Sequence, residues 1–197
     1  MKRHEFEFEL KRKAIHMGIG IAILLALYLL PVPRADALAY VQAAMLLVLT
    51  YLLIVIDRRA KGKRTPPADY FIDSLERKSA PPAQGALWYV VGTIIALTFI
   101  SSFSGVAAAI FILAIADAIS TLAGIWGTHP LPYNKKKTVE GTVAFFITGL
   151  ASCVFIGPAA LPLSLLTSII ESLDQRLDDN LTIPIACVIF FRFVPLA

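Results

Sequence analysis

The sequence predicts an all-α membrane protein of about seven transmembrane helices with its N-terminus in the cytoplasm. Three observations carry this expectation. The 197 residues are 57% hydrophobic and 16% charged, with a mean hydropathy of +0.73, whereas soluble domains are about 45–50% apolar and about 25% charged. The apolar residues are gathered into long runs, most of them near the ~20 residues that a helix needs to cross a bilayer. Lysine and arginine concentrate in alternate connections between those runs.

The runs cover 14–32, 37–56, 85–101, 104–126, 141–157, 159–173 and 181–197. The sixth is short, contains Pro162 and has the character of a re-entrant segment. One integral membrane domain, 1–197, is expected, with no room for a large soluble domain and no internal repeat. A basic start, an apolar run and Ala37-Leu38-Ala39 imitate a secretory signal. Three glutamates within residues 5–16 argue against that, and the segment is expected to be retained.

Five basic residues lie in 1–13, seven in 57–84, three in 127–140 and Arg176 in 174–180, while the opposite connections hold only Arg34. The positive-inside rule then makes the loops 57–84, 127–140 and 174–180 cytoplasmic. The net charge of +4 suits anionic lipid headgroups and calls for no nucleic acid. Cys153 and Cys187 both fall in apolar runs and read as buried small residues, not ligands or disulfide partners.

Three polar stripes interrupt this pattern: Glu9-Arg12-Lys13-His16, Asp117-Ser120-Thr121-Gly124 and Glu171-Asp174-Gln175-Asp178. Each has i, i+3, i+4, i+7 spacing and lies on one helix face. A charge in or beneath a bilayer is costly unless it meets a wet cavity or a partner, so three such faces point to a shared polar site.

Asp117 stands roughly nine residues inside its run, about 13 Å deep at 1.5 Å per residue. Helix packing, with Ser120 and Gly124 as small interface residues, accounts for the segment structurally. A magnesium ion or a cationic partner would offset an isolated carboxylate at that depth. Next, Asn134-Lys135-Lys136-Lys137 runs into Thr138, a helix cap, with Glu140 in the first turn and Gly141 behind it. These are both ordinary membrane anchors and a candidate anion site, because backbone N–H groups and three lysines converge there. No P-loop and no protein-kinase signature is present. Four acids and Asn180 crowd 171–180; Asn180 reads as an N-cap and Pro184 as a first-turn proline, and Asp178 with Asp179 as a candidate Mg²⁺ pair. Arg12 and Lys13 serve as a juxtamembrane anchor, and His16 shares their stripe. Glu76-Arg77-Lys78 leads to Trp88 and Tyr89, which are most simply interface aromatics.

Taken in order, E-x-x-R-K-x-x-H, G-x-x-W-Y-x-x-G, D-A-x-S-T-x-x-G, K-T-x-E-G and D-D-N-L-T-x-P resemble the motifs of the CTP-dependent lipid kinase family. That family comprises dolichol kinase, phytol kinase and CTP-dependent diacylglycerol kinase, and is itself similar to phosphatidate cytidylyltransferases. The resemblance covers nearly the whole chain; K-T-x-E-G and D-D-N-L-T-x-P are its most specific parts. It implies a multi-pass enzyme that moves the γ-phosphate of CTP to a lipid alcohol with Mg²⁺. Asp117, Glu140, Asp178 and Asp179 would hold the metal, with Asp117 or Glu140 at the reacting hydroxyl. Arg12, Lys13, Asn134, Lys136, Lys137, Thr138, Gly141 and Asn180 would bind nucleotide, and His16, Trp88 and Tyr89 would meet the lipid. The expected neighbours are membrane lipids and the lipid alcohol, with a homodimer left open. Two rival readings remain. A cytidylyltransferase would make a CDP-lipid at a similar site, and a transporter would use its buried charges to bind cargo, although no inverted repeat is visible.

Overall fold

A computed structural model describes residues 2–75, 81–175 and 177–195. Glu76, Arg77, Lys78 and Arg176 lie outside the described residues. The described residues are mainly helical, with an isolated bridge between Pro130 and Thr138 in the 127–138 loop, and the membrane-like runs pack around one central segment.

Helix α1 (Lys2–Leu29) starts well before its apolar run, because the polar stripe 9–16 continues the same helix. Helix α2 (Arg34–Ala60) follows Pro33 and ends in a reversal at Gly62, whose φ of +71° suits a residue without a Cβ. A short amphipathic helix, α3 (Ala68–Leu75), lies within the expected 57–84 loop. Arg59 ties it to the end of α2 through Asp69 (3.2 Å) and Asp73 (2.5 Å), and Arg64 adds a bond to Asp73 (2.8 Å). Helix α4 (Gln84–Phe99) follows.

The central segment is α5 (Phe103–Phe111), a π-helical turn (Ile112–Ala116) and α6 (Asp117–Trp126). It is mostly buried, and its alanines at 107–109, 114, 116 and 118 let α1, α4, α7 and α10 approach it. Next, α7 (Val139–Leu150), α8 (Cys153–Ile156) and α9 (Ala160–Ser172) form one apolar stretch that folds back on itself. The reversal passes Gly157 at φ +57°. A Cβ on Gly149 would press on Ser164 at 2.9 Å, so the two arms touch closely. At about 1.5 Å per residue each long arm reaches roughly 20 Å, short of the ~30 Å hydrocarbon core.

Helix α10 (Asp179–Phe193) closes the bundle against α4 and α9. Its N-cap is Asp178, whose side chain accepts from the Asn180 N–H at 3.0 Å. The cap therefore lies two residues before the expected Asn180. Pro184 falls inside the helix, not in its first turn. Proline has no N–H to offer the Asn180 carbonyl four residues back. Gly92 of α4 lies against that carbonyl so closely that a Cβ would overlap it.

By length and composition four helical stretches among the described residues suffice to cross a membrane: Glu5–Leu29, Arg34–Ala60, Phe103–Trp126 and Val139–Ser172, the last counted as a whole although it is the stretch that folds back on itself. Gln84–Phe99 is apolar but shorter. Both cysteines are free; Cys187 is buried and Cys153 is exposed on the outside of the bundle.

Candidate functional site

Residues of all three polar stripes meet at one end of the bundle, but the third is not the helix face that its spacing predicted: Glu171 lies on α9, which ends at Ser172, Asp174 and Gln175 follow it, and Asp178 caps α10. Stripe residues line a cavity of about 560 Å³ together with the 134–142 segment, a volume within the usual range for small-ligand sites.

Its floor is built of buried charge. On α1, Lys13 bonds Asp117 Oδ2 of α6, and Arg12 pairs with Glu9 through Nη2 at 2.6 Å. Asp117 is thus not the isolated carboxylate that its depth alone suggested. His16 Nε2 lies 3.6 Å from the same Asp117 oxygen and 2.9 Å from the Leu113 carbonyl. From the other side, Lys137 reaches Glu171 Oε1 at 2.5 Å and Asp179 Oδ2 at 2.8 Å. Ser120 donates to Glu171 Oε1 at 3.0 Å. Burial alone would lower Lys137, but the Glu171 and Asp179 carboxylates hold it above its ordinary range. Burial pushes Asp179 up to about 6 against the pull of Lys137.

Asp117, Glu171 and Asp179 each present a carboxylate oxygen within 4.8 Å of the others. Glu171 is 1% exposed, and its Oε2 has no hydrogen-bond partner. A buried carboxylate oxygen left unpaired is costly. Hard oxygen donors converging in this way suit Mg²⁺, which is bound through one or two carboxylates together with phosphate oxygens and water. The donor set therefore fits a divalent ion.

The remaining expected site residues divide. Asn134 is buried and donates to the Ser172 carbonyl at 3.0 Å, while its Oδ1 accepts from the Lys136 N–H at 3.1 Å. It holds the lysine loop onto the end of α9, and the loop's backbone pairs Leu131 with Lys137 and His129 with Val139. Thr138 caps α7 by accepting from the Gly141 N–H at 3.2 Å. Gly141 lines the cavity, yet its missing Cβ is required first by α6: an added Cβ would stand 3.0 Å from the Ser120 carbonyl and 3.2 Å from Gly124 Cα. Lys136 is exposed, and its ammonium lies 3.3 Å from Asp174 Oδ1.

Glu140 is not brought to the other acids. Its carboxylate accepts from the Thr128 N–H (2.8 Å) and bonds His129 Nδ1 (2.7 Å), so it ties down the 127–129 turn. The dipole argument placed it at a helix start correctly, but the helix presents it to the outside of the cavity. Glu171 takes the place in the cluster that sequence assigned to Glu140. It belonged to the polar stripe 171–178, but seven residues and the end of α9 separate it from the Asp178-Asp179 pair. Asp178 lines the cavity but spends one oxygen on its cap.

A second cavity of about 730 Å³ adjoins the first. It lies among α1, α2, α3 and α4, with walls of Ile15, Ile19, Val48, Leu52, Phe71 and Val90. Arg12, Lys13, Asp178 and Asn180 line both cavities. His16 and Tyr89 face the apolar one, their rings 4.3 Å apart edge to face. Tyr89 is buried and its hydroxyl has no hydrogen-bond partner. Trp88, on the next position of α4, lines neither cavity.

No protein-family model matches the chain, and no solved structure matches it. Two curated proteins are similar to it. One is an uncharacterised protein of Methanocaldococcus jannaschii, 32% identical over 114 residues, covering 56% of this chain and 59% of that protein. The other is CTP-dependent diacylglycerol kinase 1 of Eremothecium gossypii, 29% identical over 150 residues, covering 61% of this chain and 47% of that protein. The chain thus spans about half the length of the curated relatives it matches, and its similarity to the CTP-dependent diacylglycerol kinase is distant.

Proposed function

We propose that this protein is a CTP-dependent kinase that transfers the γ-phosphate to the hydroxyl of a membrane lipid alcohol, either an isoprenoid alcohol or diacylglycerol. The observation that carries the reading is the shared wall between a charged cavity and an apolar one, with the three-carboxylate cluster beside it. The similarity to a diacylglycerol kinase supports the choice of CTP and of a lipid acceptor.

Asp117, Glu171 and Asp179 would hold Mg²⁺, which supplies charge neutralisation for the transferring phosphoryl group. Lys137, Lys13 and Arg12 bring positive charge to the triphosphate, and the Thr138 cap and the lysine loop fix where it enters. In the transfer, the lipid oxygen forms a bond to the γ-phosphorus as the bond to the β–γ bridging oxygen breaks. The hydroxyl proton leaves to a carboxylate of the cluster or to water, and CDP departs. Such chemistry needs positioning and electrostatic support more than covalent participation by the protein. The acceptor chain lies in the apolar cavity, with His16 and Tyr89 along its inner wall.

The same reading makes the protein multi-pass, with all three stripes on the cytoplasmic side as the lysine and arginine distribution requires. Purified protein given CTP labelled at either the α- or the γ-phosphorus, with a panel of lipid alcohols, tests it. Label from the γ position only should enter the lipid. Label from the α position entering the lipid would make the protein a cytidylyltransferase, and no transfer from either with any acceptor would favour a transporter.

A further inference from the structure

The central helix does not run regularly into Asp117. The Asp117 N–H bonds the Ile112 carbonyl, five residues back, in place of the Leu113 carbonyl that an α-helix would use. The Leu113 carbonyl instead receives His16 Nε2 from α1 at 2.9 Å. A carbonyl oxygen only accepts, so the His16 Nε2 carries the proton. Helix α1 comes close enough for this because of Gly20, one turn beyond His16: a Cβ there would overlap Ala114 within the π-turn. π-turns inside α-helices recur at functional sites, where the added residue re-aims the side chains that follow. Here the residue that follows is Asp117.

We infer that His16 is a positioning residue. By donating from Nε2 to the Leu113 carbonyl it holds the π-turn that aims the Asp117 carboxylate at Glu171 and Asp179. Its bearing on turnover rests on the kinase reading; its bearing on metal binding does not. A partner that orients a metal ligand commonly changes metal affinity about 10–100-fold when removed.

The test compares His16→Leu, which removes the donor, with His16→Gln, which retains an N–H at similar reach. Mn²⁺ binding to the purified, nucleotide-free protein is read by electron paramagnetic resonance, beside turnover. Expected is Mn²⁺ affinity weakened about tenfold or more in His16→Leu and held within about threefold in His16→Gln, with turnover following affinity. Equal loss in both variants would make the imidazole a proton acceptor or direct ligand and overturn the proposal, as would full affinity in His16→Leu. Because His16→Leu is at risk of failing to fold, ¹⁵N-histidine NMR of the otherwise native chain in a His4→Gln/His129→Gln background gives an independent answer. A proton on Nε2 is expected, and protonation at Nδ1 alone would overturn the assignment. Tight Mn²⁺ binding that obeys this pattern without any kinase turnover would leave the π-turn device standing and sink only the kinase reading.

Discussion

Lys13 and Asp117 form a buried ion pair between residues 104 positions apart in the chain, and with it α1 is locked to the central helix. The pairing changes what a conservative substitution at Asp117 does. An unpartnered buried carboxylate would gain stability on conversion to Asn. With Lys13 only 5% exposed, Asp117→Asn instead strands a buried ammonium, and breaking such a pair commonly costs about 3–5 kcal/mol. Asp117→Asn should abolish turnover and lower the detergent melting temperature. Adding Lys13→Met should recover stability without recovering activity. A stable, active single variant would remove Asp117 from the site.

Glu171 stands in the carboxylate cluster and Glu140 stands outside it, bonded to Thr128 and His129. Glu171→Gln should lower turnover by about a hundredfold or more, the scale of a few kcal/mol of lost transition-state stabilisation. It should also weaken Mn²⁺ binding. Glu140→Gln should leave Mn²⁺ binding intact and loosen the 127–129 turn, seen as faster amide exchange at Thr128 and His129. Equal loss of Mn²⁺ affinity in both would return Glu140 to the metal set.

The three lysines of the loop are unequal. Lys137→Ala removes the ammonium between Glu171 and Asp179 and should cost at least about tenfold in kcat/KM, or ~1.4 kcal/mol. Lys135 and Lys136 are exposed, and surface pairs such as Lys136–Asp174 contribute little, so their alanine variants should stay within about threefold. Uniform mild effects in steady-state assays would mean that all three are simple membrane anchors.

Gly92→Leu should separate α4 from α10, because even a Cβ overlaps the Asn180 carbonyl. Overpacking of this kind typically costs about 1–3 kcal/mol or more. A thermal unfolding midpoint equal to that of the native protein would show that the two helices have room to spare.

Sidedness is open to labelling. Single cysteines at Lys61, Lys136 and Gln175, in a chain without Cys153 and Cys187, should all react from the cytoplasmic face. Reaction of Lys136→Cys from the opposite face would contradict the positive-inside assignment.

The helical class and the positions of the apolar runs were legible because hydropathy acts locally. Runs 85–101 and 104–126 correspond to Gln84–Phe99 and Phe103–Trp126 within two residues. The convergence of the stripes was legible because polar residues beside apolar helices need one another, although only the first two prove to be helix faces. Other features depended on contacts remote in sequence. Helix α3 was missed because eight residues carry too little periodicity. Asp117 looked solitary because Lys13 lies a hundred residues away. Glu140 was expected among the metal ligands and Glu171 was not, because a position in the first turn of α7 or near the end of α9 says nothing of which neighbour the side chain meets. The π-turn left no local mark at all, since its extra residue is compensated by a side chain on α1.

The wall shared by the two cavities, with Arg12, Lys13, Asp178 and Asn180 on it, has a kinetic consequence. On the proposed reading, neither substrate leaves the phase in which it is soluble. The rate then depends on two different concentration scales: the bulk molarity of nucleotide and the surface mole fraction of acceptor. Diluting the acceptor with inert lipid should slow the reaction even when its total amount is unchanged, whereas diluting whole vesicles with buffer at fixed nucleotide should leave the turnover of each enzyme molecule the same.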